Sequence, residues 1–229
     1  MRARVAAVVV AGLLAVFSAF AQAPKSGPEP GAEPPRLARP PLFLQEEWRQ
    51  IPGGGEHAVT PASVTQGNVE MTLYGASSAE MQLTGAAGNE GNPVHVWTGL
   101  CTSPCGLTLR DKTSYVDLTG LARIKWNTKT SGFHRIRPML KLADGTLLVG
   151  DHTDGQTLDW LTTEFSLAGV HWLRLDPERL VTTGNLVEAP DLTKVDEVGF
   201  VDLMPASGHG PGGWSDVAQI EVYGKPVKR

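Results

Sequence analysis

Between residues 121 and 149 apolar and polar side chains alternate. Over residues 121–127, Ala122, Ile124 and Trp126 fall on one face, and Arg123 and Lys125 on the other. Over residues 134–142, Ile136, Leu140 and Leu142 share one face, and Arg135, Arg137 and Lys141 the other. A period of two is the mark of half-buried antiparallel strands. Residues 128–133 are short enough to join the two runs as a hairpin, with Arg123 opposite Arg137 and Lys125 opposite Arg135. Pro138 moves the second run towards an edge or a bulge, because it cannot donate to a ladder. Asp144-Gly145 is a turn signal, and residues 146–149 return as a strand.

The same reading extends along the chain. Residues 42–50, 68–74, 80–84, 94–98 and 107–110 are strand candidates, punctuated by glycines. Residues 163–167, 170–175 and 179–183 are further short candidates, after a polar loop at 151–160. Residues 195–204 and 216–223 form two closing apolar strands around a glycine-rich loop. No segment sustains a period of 3.6 over three turns. The expectation is an all-β fold, an antiparallel β-sandwich of jelly-roll type.

The N-terminus follows other rules. Arg2 and Arg4, the apolar run 5–20 and Ala21-Gln22-Ala23 make the pattern of a secretory signal peptide over residues 1–23. Residues 24–41 are rich in Pro, Gly, Ala and charge, and read as a disordered linker. Residues 42–229 then form the β-sandwich domain, large enough for one core. A secreted or periplasmic protein is expected, with no membrane insertion after cleavage. The formal charge of −4 argues against nucleic acid as a partner. In that compartment Cys101 and Cys105 are expected to form a disulfide that fixes the turn containing Pro104 and Gly106. A redox pair or a soft-metal site is the alternative.

Several residues near the C-terminus match a family pattern. Trp172-Leu173-Arg174-Leu175, Asp191-Leu192 with Val195 and Val198-Gly199-Phe200, and Ala218-Gln219-Ile220-Glu221-Val222-Tyr223-Gly224 resemble the final third of galactose-binding-like jelly rolls, which include carbohydrate-binding modules. The resemblance implies a sandwich with a ligand surface on loops or on a sheet face, and a structural calcium. Many such domains carry a Glu in an Ala-Glu-Ile arrangement. Here that position is Gln219, whose amide brings an oxygen but no charge. No cofactor is therefore expected, and calcium is weakened by that residue.

Candidate chemistry is sparse. The basic residues of the expected hairpin form either a site for an acidic glycan or an outer face neutralised by acids such as Glu197 and Glu221, and the second reading is preferred. Trp126 and Trp172 lie in alternating strands and are expected in the core. Trp160 and Trp214 lie in loops, where an indole can stack on a sugar. His209 sits in the glycine-rich loop with Trp214. Asp151, His152, Asp154 and Asp159 are the best metal-like group, but they miss the spacing of a calcium loop and read as a solvated turn. Glu164, Glu197, Asp202 and Glu221 could in principle supply the two facing carboxylates of a glycosidase. No nucleophile elbow or zinc-protease motif is present. The expected function is non-catalytic binding of a polysaccharide or glycan, with contacts at Trp160, His209 and Trp214 and, as an alternative site, Arg135 and Arg137. A polysaccharide hydrolase or lyase, or a structural envelope protein, is the competing reading.

Overall fold

The computed structural model describes residues 38–229 apart from Gly54, Leu158, His209 and Pro211. The expected signal peptide and residues 24–37 of the expected linker lie outside the described residues. In chain order the strands are β1 (Leu42–Glu46), β2 (His57–Ala58), β3 (Val69–Tyr74), β4 (Gln82–Thr84), β5 (His95–Trp97), β6 (Cys105–Asp111), β7 (Ser114–Asp117) and β8 (Arg123–Thr130). They continue with β9 (Ile136–Leu142), β10 (Leu147–Gly150), β11 (Leu161–Ser166), β12 (Trp172–Leu175), β13 (Thr182–Leu186), β14 (Val195–Asp202), β15 (Ser215–Tyr223) and β16 (Lys225–Lys228). The only helical pieces among the described residues are three short 3-10 turns.

Two antiparallel sheets form a β-sandwich of jelly-roll type. The first runs β11-β8-β15-β5-β4-β2, and β1 shares the β5 side of β15. The second runs β13-β12-β10-β9-β14-β6-β3, with β7 and β16 attached at the start of β14. Ile124, Trp126, Val217, Ile220 and Val222 of the first sheet join one core with Leu107, Leu109, Leu140, Val198 and Phe200 of the second. The closing strands β14 and β15 are central, one in each sheet.

The expected hairpin of residues 121–142 does not form. β8 pairs with β11 and β15, whereas β9 pairs with β10 and β14 in the other sheet. Both strands have the right alternation, but their apolar faces look at each other across the core instead of lying side by side. The connection is held by close backbone packing. Gly132 has φ +65°, and a Cβ there would lie 2.4 Å from the carbonyl oxygen of Gly212. Pro138 sits within β9, and the register with β10 ends one residue away, at Met139, so one side of the proline is edge-like. The outer face of the second sheet is also not uniformly polar. Met139, Val149 and Val201 pack there with Leu175 and Leu180 in a small second core.

Cys101 and Cys105 form a disulfide, with Cα atoms 6.4 Å apart, at the entry to β6. The bridged turn is joined to the glycine-rich loop before β15: Gly208 N donates to Gly99 O at 2.6 Å and Ala206 N to Cys101 O at 2.8 Å. Beneath them His134 Nδ1 meets Asp202 Oδ2 at 2.5 Å, and Thr98 Oγ1 donates to the same oxygen at 3.2 Å. All three side chains are buried.

Candidate functional site

The outward face of the first sheet carries the candidate site. In β8 the buried residues are Ile124, Trp126, Thr128 and Thr130, so Arg123, Lys125, Asn127 and Lys129 point outward. In β15 a register shift between Val217 and Gln219 lets Asp216, Gln219 and Glu221 share that face. Asp216 lies between Trp97 of β5 and Lys129 of β8 in register. Two hollows adjoin here. One, of about 220 Å³, is lined by Glu56, His95, Trp97, Lys129, Trp214 and Asp216. The other, of about 290 Å³, includes Glu47, Gln50, Pro93, Asn127 and Gln219. Asn127 and Lys129 are two residues apart on β8, and Pro93 lies two residues before His95, the first residue of β5, so the two hollows lie side by side on this face and are together called the trough.

Trp214 lines this trough, and Trp160 reaches it through His95. The Trp160 ring meets His95 edge-on, with centroids 5.0 Å apart, and its Nε1 donates to Gly91 O at 3.3 Å. The Trp214 carbonyl accepts from Ser131 N at 2.9 Å, and its side chain hydrogen-bonds Asp216. Both indoles are half-buried. His209, in the same loop as Trp214, lies outside the described residues. Arg135 and Arg137 are elsewhere, at the second sheet. Arg137 Nε donates to Gly150 O at 2.7 Å, and the exposed Arg135 lies over Gly155.

The chemistry of the trough centres on a buried acid and imidazole. Asp216 and His95 are each 5% exposed. His95 Nδ1 is 2.7 Å from Pro93 O, and its Nε2 is 3.6 Å from Asp216 Oδ1. A carbonyl only accepts, so Nδ1 carries the hydrogen of the neutral ring and Nε2 presents a lone pair. Burial pushes the His95 pKa down, with Lys129 adding to the effect against the opposing Pro93 bond. Burial pushes the Asp216 carboxyl up to about 7, against opposing contributions from Trp214 and Lys129. Asp216 Oδ1 has no hydrogen bond among the described residues, and neither does Asn127 Oδ1 in the adjoining hollow.

The single basic face expected from the hairpin is divided between the sheets, because its two strands are. On the first sheet Arg123 pairs with Glu164 at 3.2 Å and Lys125 with Glu221 at 2.9 Å. On the second, Lys141 pairs with Glu197 at 2.8 Å. Glu164 and Glu221 flank Lys125, Glu197 faces out of the other sheet, and Asp202 is inside the core. These four carboxylates do not line one groove.

Gln219 is a poor calcium ligand in this setting. Its Nε2 donates at 3.0 Å to both Glu47 Oε1 and Glu221 Oε1, and Glu221 is already held by Lys125 and Tyr223. A calcium ion would have to displace these contacts, so the residues do not fit one. The acidic turn also separates: Asp151 pairs with His171, whereas Asp154 accepts from Trp126 and Thr163. Among the described residues no three His, Cys, Asp or Glu side chains converge as metal ligands.

Sequence reasoning missed Asp216, His95 and Asn127. Asp216 was visible only as the first polar position of an apolar strand, and its burial depends on Trp97 from a distant segment as well as on the neighbouring Trp214. Trp126 and Trp172 are buried as expected, and Trp97 is buried too. A larger hollow of about 340 Å³ lies at the other end of β8, walled by Leu118, Leu167, Trp172, Leu186 and Leu192. None of its lining residues has an orphaned buried polar atom among the described residues, so the trough is the stronger candidate.

No known family profile matches the chain, and no curated protein matches it. Solved structures do. One is the family 11 carbohydrate-binding module of the cellulosomal cellulase Lic26A-Cel5E of Clostridium thermocellum, at 13% identity and TM-score 0.43, covering 82% of this chain and 98% of that one. A second is a family 11 module from Clostridium thermocellum in complex with a β-1,3-1,4-mixed-linked tetrasaccharide, at 16% identity and TM-score 0.39, covering 82% and 99%. A solution structure of CtCBM11 matches at 14% identity and TM-score 0.42, covering 83% and 98%.

Proposed function

We propose that this is an exported, non-catalytic carbohydrate-binding protein that holds a glycan chain in the trough of the first sheet. The observation that carries the reading is the pair of orphaned oxygens, Asp216 Oδ1 and Asn127 Oδ1, facing two adjoining hollows beside indole rings. A buried acceptor without a donor is costly, and native proteins leave few. Sugar hydroxyls supply donors at such points, while sugar C–H faces stack on Trp rings. Trp214 is the platform, Trp160 braces His95, and His209 follows as a candidate from its place in the Trp214 loop. The five basic residues are divided between the two sheets, and Arg123, Lys125 and Lys141 are ion-paired, which argues against one continuous acidic-glycan face that would include Arg135 and Arg137. Export is supported by the N-terminal pattern and by the disulfide, which persists in oxidising compartments.

The test is retention of the purified protein on a panel of insoluble neutral and acidic polysaccharides, with reducing-sugar release measured in parallel. Retention on a neutral member, weakened by Trp214→Ala, is expected, with no sugar released. Release of sugar would contradict the non-catalytic reading, and no retention on any member would sink the binding reading.

A further inference from the structure

We propose that Asp216 reads its ligand as a carboxylate, so that binding of a neutral glycan hydroxyl expels the proton carried by its buried carboxyl. The proposal rests on the glycan-binding reading and adds its specificity and its coupling to pH. The geometry gives the reason. His95 is locked by Pro93 O at 2.7 Å, which leaves the Nε2 lone pair 3.6 Å from Asp216 Oδ1. No described residue donates to that oxygen. At 3.6 Å Nε2 and Oδ1 are not hydrogen-bonded, and burial without a donor favours the neutral, protonated carboxyl. A bound hydroxyl offers a donor to that oxygen. It stabilises the ionised carboxylate over the acid, and the displaced proton leaves for solvent.

The surrounding groups set the balance. Lys129 of β8 lies across from Asp216 and favours the carboxylate, and Glu56, before β2, shares the hollow. His95 of β5 is the remaining titratable neighbour, and Trp97 and Trp214 do not titrate. A glycan carboxylate cannot donate a hydrogen bond to Asp216, so the group that meets this oxygen is a sugar hydroxyl.

The linkage has a definite sign. The free carboxyl titrates at about 7. A ligand that prefers its ionised form binds more tightly as pH rises towards that value, by up to about tenfold per pH unit, and levels off above it. Isothermal titration calorimetry of the wild-type protein with a neutral oligosaccharide, from pH 5.5 to 8.5 in two buffers of different ionisation heat, reads both affinity and protons. The expected result is affinity rising to a plateau above pH 7, with proton release below it. Asp216→Asn is expected to flatten both. A wild-type profile that is flat, falls with pH or shows proton uptake overturns this proposal and leaves glycan binding standing. If the wild type binds no oligosaccharide at any pH, both readings fall together. The wild-type data decide the matter even if the variant does not fold.

Discussion

Asp216 is an acid placed where water barely reaches it, and its cost should show in the stability of the protein. Its carboxyl is pushed from 3.8 to about 7 by burial. Between those values the unfolded chain ionises and the folded one does not, so the folded state binds more protons there. Stability from this group is therefore full below pH 4, falls as pH rises to 7, and stays low above. The total is on the order of 4 kcal/mol. Urea denaturation of wild type and Asp216→Asn at several pH values isolates this contribution. The difference is expected to shift in favour of the variant from pH 4 to 7 and to be constant at higher pH. A difference independent of pH would mean that Asp216 ionises freely. Nothing in the local sequence shows this behaviour. Asp216 is one polar letter in SDVAQIEVY, and its burial comes from Trp97, about 120 residues earlier in the chain.

At the scale of elements, the glycine-rich loop is a fitted part and not a slack connection. Gly213 has φ +99°, and a Cβ there would lie 2.1 Å from Ser131 O, the residue whose N–H holds the Trp214 carbonyl. Gly145 has φ +86° but open space around it. Gly145→Ala is expected to cost about 1 kcal/mol, the penalty of a left-handed alanine. Gly213→Ala adds overpacking and is expected to cost about 3 kcal/mol or more, and to weaken glycan retention by displacing Trp214. Equal losses in denaturation midpoint for the two would contradict this picture. Most of the longer strands were readable from their period of two. Their assignment to sheets was not, because alternation tells which face is apolar but not which partner lies beside it. β8 and β9 show this most clearly: a short linker suggested a hairpin, yet their apolar faces close opposite sides of one core. β7 and β16 were missed as strands. Each has four residues, and β16 carries Pro226.

For the whole molecule, the two sheets and their shared core follow from composition and pattern, whereas the trough follows from tertiary contacts. The disulfide joins the two scales. It closes a turn that is hydrogen-bonded to the Trp214 loop and sits above His134 and Asp202. A Cys101→Ser/Cys105→Ser variant is expected to lose less than the roughly 3 kcal/mol associated with a 15-residue loop, read as a modest fall in Tm. The same variant should bind glycan more weakly, because the bridged turn supports one wall of the trough. A fall in Tm with unchanged affinity would show that the turn does not support the site.

The central claim is that a glycan lies along the first sheet. Its most direct test is a proton–nitrogen correlation titration of the labelled protein with an oligosaccharide from a retained polysaccharide, following the indole N–H signals. The account predicts progressive shifts at Trp214 and Trp160 and at the Asn127 side-chain amide, with Trp172, at the far end of the sandwich, unmoved. Shifts centred on Arg135, Arg137 and the second sheet, or none with any member of the panel, would contradict it.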